Sequence, residues 1–160
     1  METQHKEFEK PIFEEKQKAY KNKVMVLLFF TISFVIVITF PQQKLSLEHI
    51  ITSSSLVILL TFLSTFFTLK TKVFSDSIQI TMLPFIIKKT IKKRDILKAE
   101  DVKYSPLLDW GGWGIRLNFK GIAYNMYGNR GVKLTMKSGR IILLGSQKSY
   151  LLYDAILRKQ

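Results

Sequence analysis

The sequence predicts a two-helix transmembrane hairpin followed by a small, mainly-β domain of about seven antiparallel strands and a C-terminal helix. Three observations carry that expectation. Residues 24–40 and 50–69 are apolar runs without a single charged side chain. Lysines bound both runs: Lys21 and Lys23 before the first, Lys44 after it, Lys70 and Lys72 after the second. From Val73 onward the apolar residues recur with period two, which belongs to strands.

A hydrocarbon core takes roughly 20 helical residues, with 17 near the lower limit. The second run meets that length, and the first reaches it by borrowing Pro41, Gln42 and Gln43. A cleaved signal peptide fits less well. The first run ends Ile-Thr-Phe-Pro-Gln-Gln, without a small-residue cleavage pattern, and a second apolar run follows. Lysines crowd the outer flanks of the hairpin, whereas the turn 41–49 holds only Lys44. The positive-inside rule then places both termini in the cytoplasm of a bacterial-type inner membrane. No ionisable residue lies within either run, which argues against a transporter.

Residues 1–23 read as a charged juxtamembrane tail, nearly neutral overall, with Pro11 breaking any early helix. The net charge of +13 lies mostly beyond it. From Lys70 onward eighteen Lys and Arg stand against six acids, and such a surplus implies an anionic partner. Cysteine is absent, which excludes disulfides and thiolate sites. His5 and His49 are not placed to meet in one site.

Strands are expected over 73–82, 85–91, 99–104, 113–119, 122–126, 132–136 and 140–144. In 113–119, Trp113, Ile115, Leu117 and Phe119 share one face while Arg116, Asn118 and Lys120 take the other. Gly121 turns the chain, 128–131 form a second turn, and Ser138-Gly139 makes a tight hairpin. Ser146 is a candidate cap for a helix over 147–158, which carries Leu151, Leu152, Ala155 and Ile156 on one stripe.

The blocks Tyr104-Ser-Pro-Leu-Leu-Asp-Trp-Gly-Gly-Trp-Gly-Ile-Arg116, Ala123-Tyr-Asn125, Gly128-Asn-Arg-Gly-Val132 and Leu144-Gly-Ser-Gln147 resemble bacterial membrane proteins with a PH-like domain. The resemblance covers residues 73–158. It implies two packed antiparallel sheets of seven strands, with one corner closed by the C-terminal helix. It implies no reaction and no catalytic residue.

Lys88, Lys89, Lys92, Lys93 and Arg94 form the leading candidate for binding lipid headgroups or another anion. On a strand, Lys88, Lys92 and Arg94 share a face, and each charge near an anionic leaflet contributes about 1 kcal/mol. The same lysines also suit a sheet edge blunted against aggregation, and both readings stand. Arg116, Lys120, Lys133, Lys137 and Arg140 form a second outward set that ordinary surface charge accounts for. Trp110, Gly112, Trp113 and Arg116 mark a candidate surface for a protein partner. Their glycines do not form a phosphate cradle, because such a loop leads into a helix and this one leads into a strand.

No Ser/His pair, His-Glu-x-x-His, Walker loop or supported carboxylate pair occurs, so neither catalysis nor a cofactor or metal is expected. Nucleic acid is not expected either: Tyr124 and Tyr127 could supply the aromatics that such binding calls for, but the membrane tether and the missing motif argue against it. The expectation is a membrane-anchored scaffold, a protein-protein adaptor using a sheet edge or the 110–116 loop. The alternative is anionic-lipid sensing by the basic face, and a cryptic enzyme comes third.

Overall fold

A computed structural model of the protein describes residues 10–23, 26–27, 30–32, 34–35, 51–52, 54–55, 58–59, 62, 66–84 and 86–158. The chain divides into two units, Met1–Gln17 with Thr68–Gln160, and Lys18–Phe67.

The first unit is mainly β. Strands β1 (Phe13–Lys18), β2 (Thr68–Val73), β3 (Ser77–Leu83) and β4 (Ile87–Lys92) form a four-stranded sheet in that order. Strands β5 (Ile96–Lys103), β6 (Gly114–Asn118), β7 (Gly121–Asn125), β8 (Arg130–Met136) and β9 (Ile141–Gly145) form a five-stranded sheet ordered β5-β8-β9-β7-β6. Helix α1 (Pro106–Trp110) lies between β5 and β6, and α2 (Ser149–Leu157) follows β9. Nine strands among the described residues replace the expected seven, and the pairing is not wholly antiparallel. β9 inserts between β8 and β7 and runs parallel to β7.

Residues paired across a ladder share a face, so the registers show which side chains form the core. Leu69 and Val73 on β2, Ile78, Ile80 and Met82 on β3 and Ile91 on β4 bury one face of the first sheet. Tyr124, Leu144, Val132, Leu134 and Ile142 bury one face of the second. The other face of the second sheet has a core of its own, where Tyr104 and Trp110 pack with Ala123 and Leu143. Cover on both faces explains why β9 reads as an unbroken apolar run instead of alternating. Helix α2 buries Leu152, Ala155 and Ile156, packs on β5 and β8 and reaches β2.

β1 is the largest departure from the sequence reading. The charged tail contains a strand whose inward residues are Phe13, Glu15 and Gln17. Gln17 Nε2 donates to the Gly145 carbonyl at 2.8 Å. Ser146 Oγ (2.5 Å) and Gln147 N (2.9 Å) donate to the Glu15 carboxylate. The expected strand 73–82 is in fact broken by a turn at 74–76, closed by Phe74 N donating to Ser77 O. The expected loop after Ser105 holds α1, with Pro106 at its first turn, the Ser105 hydroxyl accepting from Leu108 N, and Gly111 left-handed at its end.

The second unit is described only in part. A 3₁₀ turn spans Ala19–Lys21, and positions 23, 26, 27, 30–32, 34 and 35 and 51, 52, 54, 55, 58, 59 and 62 are helical. Leu27, Phe30, Phe34, Ile51, Ile58 and Phe62 are exposed.

The two-helix transmembrane hairpin is corrected. Among the described residues no helix is long and apolar enough to cross a membrane. The second expected span also ends in a strand, because Thr68 and Leu69 pair with Leu83 and Met82 of β3. An apolar run does not by its composition distinguish helix from buried strand, and here the alternation from Thr68 to Val73 belongs to the sheet. Positions 24, 25, 28, 29, 33, 36–50, 53, 56, 57, 60, 61 and 63–65 of the expected hairpin lie outside the described residues. Placement in the bacterial cytoplasmic membrane, as a two-span protein with both termini cytoplasmic, rested on those spans and falls with them.

A side chain at Gly145 would meet Asn125 Cβ at 2.7 Å and Tyr104 Oη at 2.8 Å. Overpacking of that kind costs about 1–3 kcal/mol. Gly145→Ala is therefore expected to lower the unfolding free energy measured in urea by that amount, whereas Gly139→Ala meets no neighbour and loses only the ease of its turn. Equal losses in the two variants would contradict the packing described.

Candidate anion-binding face

The five residues of the predicted basic cluster do not act together. β4 is an edge strand, and its register puts Lys88 opposite Thr81, Lys92 opposite Ser77 and Lys89 opposite Ile80. Lys88 and Lys92 thus share the face opposite the core, and Lys89 projects to the core side at the exposed edge. Lys93–Asp95 is a 3₁₀ turn in which Arg94 lies 4.0 Å from Asp95.

Lys93 has a structural role. Its Nζ donates to the carbonyls of Ala155 at 2.8 Å and Arg158 at 3.1 Å, at the C-terminal end of α2. A cation there satisfies open carbonyls and opposes the negative end of the helix dipole. Burial pushes the Lys93 ammonium below its ordinary pKa, and Asp76 works in the opposite direction.

In place of the linear cluster, the structure assembles a face from four strands. Lys70 and Lys72 on β2 pair with Thr81 and Gln79 on β3, which pair with Lys88 and Thr90 on β4. Glu14 on β1 reaches Lys70 at 2.9 Å and Lys72 at 3.7 Å, which fixes its side of the strand, and alternation puts Lys16 there too. The outer face of the first sheet therefore carries Lys16, Lys70, Lys72, Lys88 and Lys92 against the single carboxylate of Glu14. The hydrogen bond from Lys70 holds the Glu14 carboxyl below its usual range. Sequence reasoning missed Lys16, Lys70 and Lys72 because they were assigned to membrane flanks. The period-two spacing of Lys70 and Lys72 is the signal that could have found them.

On the second sheet one acid gathers two lysines. Glu100 on β5 sits opposite Lys133 on β8, with the carboxylate 2.8 Å from Lys133 and 2.9 Å from Lys98. Hydrogen bonds from Lys133 and then Lys98 hold the Glu100 carboxyl down at about 2.

The predicted partner surface is also divided. Trp110 is in the core with Tyr104, and Gly112 is buried. Trp113 is half-buried, and Arg116 is exposed on β6 with its guanidinium against Gly112, about where a side chain there would stand. Asp109 accepts from Ser105 N at 2.7 Å, the loop role its position suggests. An open pocket of about 430 Å³ between Lys103, Tyr104, Ser105, Pro106, Asp109 and Asn129 adjoins it. Burial pushes the Tyr104 phenol up, and the neighbouring Asn125 side chain opposes this. Among the described residues no group of three His, Asp or Glu is placed to hold a metal ion.

No protein-family model matches the chain, and comparison with curated proteins and with solved structures gave no match.

Two outcomes follow. Lys93→Met is expected to cost about 1 kcal/mol and to speed amide exchange in the last turn of α2. Unchanged exchange there would deny Lys93 its capping role. Glu100 has a folded pKa below its unfolded value, so its contribution is present above about 4.5 and fades as pH falls toward about 2. Glu100→Gln should therefore flatten the acid limb of a stability-versus-pH curve, and a limb of unchanged slope would refute the pairing.

Proposed function

We propose that this chain is a non-catalytic adaptor that holds a protein partner with an acidic surface on the lysine face of its first sheet. The observation that supports this reading is the delivery of five lysines by three strands to one side of a sheet, facing one carboxylate. Lys16, Lys88 and Lys92 take part in no ion pair among the described residues. Such uncompensated charge steers an anionic partner and fixes its register more than it sets affinity. The likeness of residues 73–158 to PH-like domains belongs to the same proposal, since it implies no reaction and no catalytic residue.

A second reading is supported by the same face. Thr81, Gln79 and Thr90 separate the lysines, and no aromatic stands among them. A flat array of that kind also suits anionic lipid headgroups, at about 1 kcal/mol per lysine near the surface.

The full-length chain is tested against polyglutamate and against vesicles of phosphatidylserine in phosphatidylcholine. The adaptor reading expects saturable, salt-sensitive binding of polyglutamate that Lys88→Gln with Lys92→Gln weakens about tenfold. Vesicle binding lost in the same double variant, with polyglutamate ignored, selects the lipid reading. Binding of both probes unaffected by the double variant removes the lysine face from either role.

A further inference from the structure

The outer edge of the second sheet is β6, which has β7 on one side and no strand on the other among the described residues. Natural sheets protect such edges with proline, bulges, lysines or a covering segment. β6 is a five-residue strand without proline, entered through Gly114 at φ 104°, and its ladder to β7 has no register shift. It is also greasy. Leu117 is 79% exposed, and Phe119 in the following turn is wholly exposed. Beside them α1 presents Leu108 at 90% exposure, held close because Asn118 Nδ2 donates to the Asp109 carbonyl at 2.9 Å.

From this edge we infer a site for strand addition: an extended segment of a partner protein, alternating apolar and acidic residues, pairs with β6. The inference rests on the adaptor reading above and places a second contact of that adaptor. Strand addition supplies main-chain hydrogen bonds, and alternate side chains supply the choice of partner.

Charge selects the occupant. Arg116 is the central residue of β6 and Lys120 follows in the turn, with no acid in either segment. Asp109 in α1 accepts from Ser105 N and forms no ion pair with Arg116. Arg116 lies on the face opposite Leu117, with its guanidinium resting on Gly112. An added strand therefore meets an apolar neighbour on one side and an uncompensated cation on the other. Antiparallel pairing with a second copy centred on this strand would set Arg116 against Arg116, and like charges directly opposite are destabilising.

The probe is a short fluorescent peptide of alternating valine and glutamate, added to the full-length chain. Saturable binding is expected, weakened about tenfold by Arg116→Glu and recovered when lysine replaces glutamate in the peptide. Phe119→Ser should weaken it without altering the charge response. N-methylation of the peptide along one edge should abolish binding, whereas N-methylation along the other should not. No binding at about 1 mM overturns the inference. So does binding indifferent to Arg116→Glu and to methylation of either edge. Peptide binding lost in the Lys88→Gln, Lys92→Gln variant but retained in Arg116→Glu puts the peptide on the lysine face. In that case strand addition fails and the adaptor reading survives.

Discussion

The first unit depends on a strand that buries polar side chains. Glu15 and Gln17 turn inward from β1 and meet the end of β9 at Gly145, Ser146 and Gln147. A carboxylate taken out of water is tolerable only where donors replace the water, and the Ser146 hydroxyl and Gln147 amide do so here. The arrangement ties residues 10–17 to a position more than a hundred residues away. It also gives β2 its outer neighbour, since the first sheet begins with β1. Ser146, which the sequence suggested as a helix cap, serves this junction instead, donating to Glu15 and accepting from Lys148 N.

Each sheet shares one glutamate between two lysines, and the first sheet carries further lysines on the same face. On the second, Glu100 gathers Lys98 and Lys133 into a local group. On the first, Glu14 is shared by Lys70 and Lys72 while the lysines of β1 and β4 remain uncompensated. Salt screens exposed charges over about 8 Å, so what a partner meets is the local balance of each face rather than the net charge of the chain. The edge at β6, with Leu117 and Phe119 exposed, is a surface of different chemistry from the lysine face.

Much of the second sheet was legible. The alternation of Val132, Leu134 and Met136, the turn at Ser138-Gly139 and the glycine that ends β9 give strand positions within a residue or two of those observed. Local chemistry is enough there, because side-chain period and turn residues act within a few positions. β1 was illegible for a physical reason. Its inward residues are polar, so Phe-Glu-Glu-Lys-Gln-Lys has the pattern of a solvated segment. The basic cluster misled in another way. Adjacent lysines on β4 point to opposite faces, and Lys93 turns to the end of α2, so neighbours in sequence are not neighbours in space.

By itself the sequence determined that this is a strongly basic chain without thiol chemistry, with a β-rich region from Val73 onward and an amphipathic helix near its end. Those are properties of composition and short-range period, and each residue carries them wherever it goes. Tertiary structure decided that residues 13–18 are a strand, that β9 lies parallel to β7, and that five lysines gather on one face. Strand pairing joins residues far apart in the chain. A one-residue change of register would turn every lysine to the other side, so only the ladder could settle which charges stand together.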